Sequence, residues 1–307
     1  MGRVFLLIVV GLAGDPEHHE LFRKWGATLA EASQPLGVAP DRLVYLVDEP
    51  DEGSKRVTGG ATREEVTKAL QTFATQAGPD DTVFITLIGH GTYGGNVARF
   101  NLRGPDMTPA DFGALLAKLP TKQIVFVNTS SASGPFVEEL SGPGRTIVTA
   151  TRTGAEQYAT LFGGPFVEAL TSEAADADKN RRISILEAFN FAKSEVERAY
   201  KREGLLQTEH ALLDDDGDKA GSQAISSTST DGRVAAILSL GSIGGGTGPI
   251  DPTLAALYAE RRDLERRVEN LRLLKGKMDP ARYTSELEQL ALDIARKTRE
   301  IRAAEEQ

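Results

Sequence analysis

Apolar residues in this chain come in short unbroken runs separated by amphipathic stretches. Val4–Val10 reads VFLLIVV and is followed by Gly11 and by Gly14-Asp15-Pro16. A largely β-branched run of this length, closed by turn residues, predicts a strand covered on both faces. From Glu17 to Ala32 the pattern changes to helical spacing, with Leu21, Trp25, Leu29 and Ala32 on one face, and Pro35 and Gly37 end it. Leu43–Val47 predicts a second strand. Thr62 with Glu65 three residues on is a capping-box signature for a helix through Ala77, with Val66, Leu70 and Phe73 inward. Gly78-Pro79-Asp80-Asp81 stops that helix, and Thr82–Ile88 is a third apolar strand. Thr108-Pro109 opens a further helix burying Phe112, Leu115, Leu116 and Leu119, and Ile124–Val127 and Ile147–Ala150 continue the alternation. Strand and helix in this order imply an α/β fold: a mostly parallel sheet with helices on both faces.

After Gly163 the pattern turns helical, and from 220 to 248 it becomes rich in Gly, Ser and Thr, interrupted by Val234–Leu240, which reads as a last edge strand. Gly244-Gly245-Gly246 to Pro249 reads as a linker. Beyond it Leu254, Leu257, Leu264, Val268 and Leu271, then Tyr283, Leu287, Leu290, Ile294 and Ile301, recur at three- and four-residue spacing. These predict two amphipathic helices joined around Gly276–Pro280, an α-helical hairpin with coiled-coil character. The expected organisation is therefore a core over 1–225, a linker over 226–250 and a helical hairpin over 251–307. The Arg and Glu on the hairpin's outer faces are either solvated surface or a face for self-association or a protein partner.

Composition narrows the functional classes. The 307 residues carry a formal net charge of −9, only 6% are aromatic, and there is no cysteine. An acidic, aromatic-poor chain lacks the basic groove and stacking platforms of a nucleic-acid binder, so no nucleic acid is expected. Zero Cys removes disulfides, thiolate metal sites and a cysteine nucleophile, and leaves the compartment undetermined. The run Val4–Leu12 is too short for a membrane span. Ala13-Gly14-Asp15-Pro16 is a poor signal-peptide cleavage site, although a leader removed ahead of Met1 leaves export open.

In open α/β sheets, ligands bind beyond the carboxyl ends of the strands. The third strand leaves into Gly89-His90-Gly91-Thr92-Tyr93-Gly94-Gly95. A histidine between glycines has backbone room for a substrate and a side chain free to act as base. His18 and His19 fall at a helix start and His210 in a late loop, so His90 alone has this placement. Its alternative is a structural histidine in a Gly-rich turn. The next strand leaves into Asn128-Thr129-Ser130-Ser131-Ala132-Ser133-Gly134-Pro135, where an activated hydroxyl and backbone oxyanion donors could sit, or which is simply a polar turn.

Adjacent strand ends presenting His-Gly and Ser-x-Ser-Gly resemble the caspase and legumain clan of cysteine peptidases. Ile85–Gly91 resembles the clan's His-Gly block, and Asn128–Gly134 resembles its acidic-small-Cys-x-Ser-Gly block, with Asn128 and Thr129 leaving the acidic position unmatched. Ile147–Thr151, with Glu156 and Tyr158 after it, resembles the strand and pocket loop that follow the nucleophile in legumains. The resemblance spans roughly 1–200 and is similar to bacterial legumain-like chains. It implies a caspase-like fold, a peptide or protein substrate or ligand, and a dyad of His90 with Ser131 (alternatively Ser130) beside Gly91. A hydroxyl is far less acidic than a thiol, so serine at the cysteine position removes the ready thiolate on which such a site depends. Three readings follow: a catalytically silent domain that binds, a hydrolase using a Ser131/His90 dyad, or a cysteine endopeptidase whose nucleophile was exchanged for serine. Glu156, Asp106 and Tyr158 are the candidates for a substrate pocket, with Glu156 otherwise an ordinary loop carboxylate. A different class, an assembly module acting through the C-terminal helices, stands beside these.

A separate signal lies at Asp176–Glu187. Asp176, Asp178, Asn180, Ser184 and Glu187 stand at positions 1, 3, 5, 9 and 12 of an EF-hand-like loop, and Arg182 offers its carbonyl at position 7. Ca²⁺ is the expected ion, and no organic cofactor is expected. Arg181 stands where such loops place Gly, so the alternative is a self-capping acidic turn. Asp214-Asp215-Asp216-Gly217-Asp218 reads as a solvated Asp-Gly turn.

Overall fold

The computed structural model describes residues 2–50, 56–177, 182–225 and 229–240, and, towards the C-terminus, 256–257, 260–261, 263–264, 267–268, 271, 274–276 and 278–305. The chain divides into two units, Met1–Gly244 and Gly245–Gln307. In the first, the elements run β1 (Val4–Val10), α1 (Pro16–Ala32), β2 (Leu43–Val47), β3 (Gly59–Gly60), α2 (Arg63–Gln76), β4 (Thr82–Ile88), β5 (Gly91–Gly94), β6 (Val97–Phe100), α3 (Pro109–Leu116), β7 (Gln123–Asn128), α4 (Pro135–Leu140), β8 (Arg145–Thr149), α5 (Gly163–Thr171), α6 (Ile185–Glu203) and β9 (Leu212–Asp214).

A seven-stranded sheet has the order β3-β2-β1-β4-β7-β8-β9, parallel except where β9 runs antiparallel to β8. Successive side chains of a strand point to opposite faces. Leu6, Ile8 and Val10 therefore join Phe22 and Leu29 of α1, Phe166 of α5 and Phe189 of α6 in one apolar layer. Phe5, Leu7 and Val9 join Val66 and Phe73 of α2, Phe112 of α3 and Phe136 of α4 in the other. This is the mostly parallel, doubly covered α/β sheet that the alternation of patterns predicts.

The chain winds from β1 towards β2 on one side and from β4 towards β7 on the other. The connections leaving the carboxyl ends of the paired strands β1 and β4, where Val10 faces Ile88, therefore part to opposite sides, with Gly11 still donating to the Ile88 carbonyl (2.9 Å). His90 leaves β4, the start of α1 leaves β1, and the Ser-rich turn leaves β7, all at this one edge.

Val234–Leu240 is not an edge strand. It folds as turns, with an isolated bridge between Ser239 and Ser184. Its carbonyls receive the first N–H groups of α6, Ile185 onto Leu238 (2.8 Å) and Leu186 onto Ala235 (3.1 Å), so its backbone caps a helix. The sheet edge is β9 instead. The hairpin β5–β6 follows His90 directly; its two-residue turn, Gly95-Asn96, has positive φ at both positions (59° and 60°), as a hairpin of this length favours.

In the second unit, α7 (Pro280–Glu305) is a helix, and the described residues between 256 and 271 are helical. Leu271, Leu290 and Ile301 are buried, and Lys297 of α7 pairs with Glu260 (2.6 Å). Among the described residues no helix is long and apolar enough to cross a membrane.

Candidate active site

His90 is half-buried where β4 ends. Its ring lies edge-on to His18 (centroids 4.8 Å apart) and to Phe22 (5.1 Å), both from the first turns of α1. The backbone of Ala13 also lies beside the ring. Burial, and then the neighbouring His18, hold the His90 pKa below the ordinary histidine value, so the neutral imidazole is favoured. A neutral ring is the form that can take up a proton. His18 itself is placed by a helix cap: Asp15 accepts the His18 N–H (2.9 Å) and its second oxygen lies 2.7 Å from His18 Nδ1. The helix start was legible in the sequence, but its approach to His90 depends on the pairing of β1 with β4 and was not.

The turn after β7 is buried throughout: Thr129, Ser130, Ser131 and Ser133 are each at most 2% exposed. Ser131 makes a reciprocal pair with Gly91. Its Oγ accepts the Gly91 N–H (3.1 Å) and donates to the Gly91 carbonyl (3.0 Å). Only glycine fits opposite, since a Cβ at residue 91 would lie 2.2 Å from the Ser131 carbonyl oxygen. Ser130 turns the other way, donating to Asn128 Oδ1 (2.7 Å), while Asn128 Nδ2 is buried with no partner among the described residues. Ala132 has φ of 54°, a left-handed conformation unusual for a residue with a Cβ, and its N–H donates to the Glu156 carbonyl (2.8 Å). Ser133 Oγ and Thr151 Oγ1 are 3.1 Å apart, and Thr151 Oγ1 accepts the Gly134 N–H, tying the turn to the end of β8.

The structure thus brings the predicted His90, Gly91, Ser130 and Ser131 to one strand edge and gives each hydroxyl a local partner. Glu156 is engaged elsewhere: its carboxylate accepts the N–H groups of Arg152 (2.9 Å) and His210 (3.1 Å) and lies 2.9 Å from His210 Nδ1. Tyr158 is 73% exposed. Asp106 accepts the Leu102 N–H (3.0 Å) and shapes the turn after β6. The neighbouring Glu209, to which the sequence assigned no role, is buried and accepts the N–H groups of Leu161 (2.8 Å) and Phe162 (3.2 Å) at the entry to α5. Burial pushes its carboxyl up to about 7.

Of the EF-hand-like loop, Asp178 and Asn180 lie outside the described residues. Glu187 closes a capping box on α6: its Oε2 accepts the Ser184 N–H (2.9 Å) and hydroxyl (2.8 Å), and its Oε1 accepts the Ala177 N–H (3.1 Å). The Arg182 guanidinium donates to Ser239, and Asp176 follows a short 3₁₀ turn at Glu173–Ala175.

A solved structural-genomics protein from Geobacter sulfurreducens is similar to the chain at 14% identity, covering 69% of this chain and 92% of its own, with a TM-score of 0.44. No curated protein matches the chain. Residues 58–212, slightly more than half of the sequence, match the Peptidase C13 family. The matched segment runs from β3 to β9 and contains both the His90 strand end and the Ser-rich turn. With a doubly covered parallel sheet presenting His-Gly and Ser-x-Ser-Gly at neighbouring strand ends, the chain belongs to the Peptidase C13 family, the legumain family of the caspase-like clan.

Proposed function

We propose that this chain is a peptidase-fold protein without peptidase turnover, which binds a peptide or protein at the strand edge formed by His90 and the Ser-rich turn. One observation carries the reading: Ser131, which the resemblance sets at the cysteine position, spends its hydroxyl on the backbone of Gly91 rather than on His90, and the alternative Ser130 donates to Asn128. A nucleophilic serine needs its proton directed at the base. Here the proton is directed at a carbonyl, and the Gly91 N–H, next in the chain after the histidine, is occupied by Ser131 itself. The tie to Gly91 holds the turn shut around a hydroxyl that is 2% exposed.

The competing reading is a serine-dependent hydrolase using Ser131 and His90. It is favoured by the neutral His90 ring. A fluorophosphonate probe and a set of fluorogenic peptides separate the two: absence of labelling and turnover supports the binding domain, whereas labelling lost in Ser131→Ala establishes the hydrolase. Ser131→Cys adds the third arm, since peptide cleavage appearing in that variant identifies a cysteine endopeptidase site in which serine stands for the nucleophile.

The C-terminal helices give the binding reading a partner-facing part, with Leu292 56% exposed on α7 among charged residues. They would pair with a second copy or another protein. For the loop over 176–187, Ca²⁺ is the ion proposed from the spacing of its oxygen side chains; Glu187 would have to give up its bonds to the Ala177 N–H and to Ser184 to take it. A rise in melting temperature on adding Ca²⁺, absent in Glu187→Gln, tests it.

A further inference from the structure

Beside the Ser-rich turn, the strand edge holds a constellation of which the binding reading uses only His90. Asp15, His18 and His90 each offer a ligand atom, and these atoms lie within 4.8 Å of one another. We infer that Asp15, His18 and His90 form a binding site for a transition-metal ion of the Zn²⁺ type.

Donor chemistry sets the class of ion. Two imidazoles and one carboxylate suit zinc, copper or nickel, whereas calcium and magnesium prefer all-oxygen sets. Bonds of about 2.0–2.2 Å in a tetrahedral site bring ligand atoms to about 3.4 Å from one another. Pairs as far apart as 4.8 Å must therefore close by up to about 1.4 Å, while the Asp15–His18 Nδ1 pair, 2.7 Å apart in the cap, must open or hand the ion to the other ring nitrogen. They can do so by side-chain rotation, because Asp15 is exposed and His18 and His90 are part-exposed.

The backbone beneath them is fixed. Asp15 and His18 are held together by the cap of α1, His90 follows β4, and β1 and β4 are paired up to Val10 and Ile88. Metal-bound histidines characteristically give their second ring nitrogen to a carbonyl or carboxylate, which fixes the ring. The Ala13 backbone beside the His90 ring is placed to supply that support. With Asp15 exposed and both histidines part-exposed, the remaining coordination position is open to water or to a ligand.

The second acidic group, Asp214, Asp216 and Asp218, lacks these properties. Both Asp214 oxygens accept from Ser141 Oγ (3.0 Å), and Asp216 and Asp218 accept the N–H groups of Asp218 and Ala220. Its carboxylates are spent on the turn.

A metal-bound imidazole cannot accept a proton, so Zn²⁺ occupancy and any proton transfer by His90 exclude each other. The site stands on geometry independent of hydrolysis, and its test reads the metal directly. The untagged full-length chain, stripped with a chelator, is titrated with ZnCl₂ by calorimetry and with Co²⁺ by visible absorption. A single ion per chain is expected, with the affinity lowered at least about tenfold in His18→Ala and in His90→Ala. The double variant Asp216→Asn/Asp218→Asn should leave it unchanged. Absence of uptake, or uptake that survives both histidine changes, overturns the inference. Should a histidine variant fail to fold, Co²⁺-induced shifts of the His18 and His90 ring protons in the unaltered chain decide the matter: both rings shifted supports the site, and neither shifted overturns it.

Discussion

At the scale of single residues, the reciprocal bonds between Ser131 and Gly91 make a measurable demand. Ser131→Ala leaves a buried N–H and a buried carbonyl without partners and should cost about 2 kcal/mol in urea unfolding. Gly91→Ala forces a carbon to 2.2 Å from the Ser131 carbonyl and should cost at least as much. Ala132→Gly goes the other way: the strained φ of 54° is relieved, and stability should rise by about 1 kcal/mol. Glu209 gives a pH dependence whose sign follows from its shift. Its carboxyl ordinarily titrates near 4.5, and burial raises it to about 7, so the native state holds the proton more tightly. Stability is then greatest below about pH 4.5 and falls as pH rises to about 7. Asp214, raised to about 6, adds a slope of the same sign. The melting temperature of Glu209→Gln should therefore fall less than that of the unaltered chain between these limits.

At the scale of elements, caps and ion pairs join parts distant in sequence. Arg63, at the start of α2, makes paired bonds to Asp111 in α3 (2.8 and 3.0 Å), and this guanidinium holds the Asp111 carboxyl at about 2. Arg3 does the same for Asp81, ahead of β4. These depressed carboxyls stabilise the fold above their ordinary value of 3.8, and that contribution is lost as pH falls towards about 2. Arg63→Gln should shift the acid-unfolding midpoint of the core upward, as followed by circular dichroism. The sequence identified the cap at Thr62, and the structure confirms that it accepts the Glu65 N–H (3.3 Å). It placed the strand at Val234–Leu240 wrongly, because an apolar run reports burial and not the partner of its backbone. The β5–β6 hairpin escaped notice for a related reason: glycines that suit a catalytic loop equally suit a two-residue turn.

At the scale of the whole molecule, the split at Gly244 and Gly245 predicts that residues 1–250 unfold cooperatively with a melting temperature close to that of the full chain. Light scattering of the two would show whether 251–307 drives self-association, since an unchanged mass per chain argues against it. Local pattern and motif together made the architecture legible. Runs with one periodicity can be buried in few ways, and alternating strand and helix patterns leave little choice but a covered parallel sheet. The same reasoning placed His90 and the Ser-rich turn at one edge. What a side chain does there was decided by tertiary structure, because the partner of a hydroxyl or a ring is set by which strands lie side by side. Thus Ser131 meets the backbone of Gly91, His18 meets His90 beyond the ends of β1 and β4, and Glu156 turns to His210. Residue types and spacings determined which groups gather at the strand ends; contacts between residues far apart in the chain determined what each of those groups is bonded to.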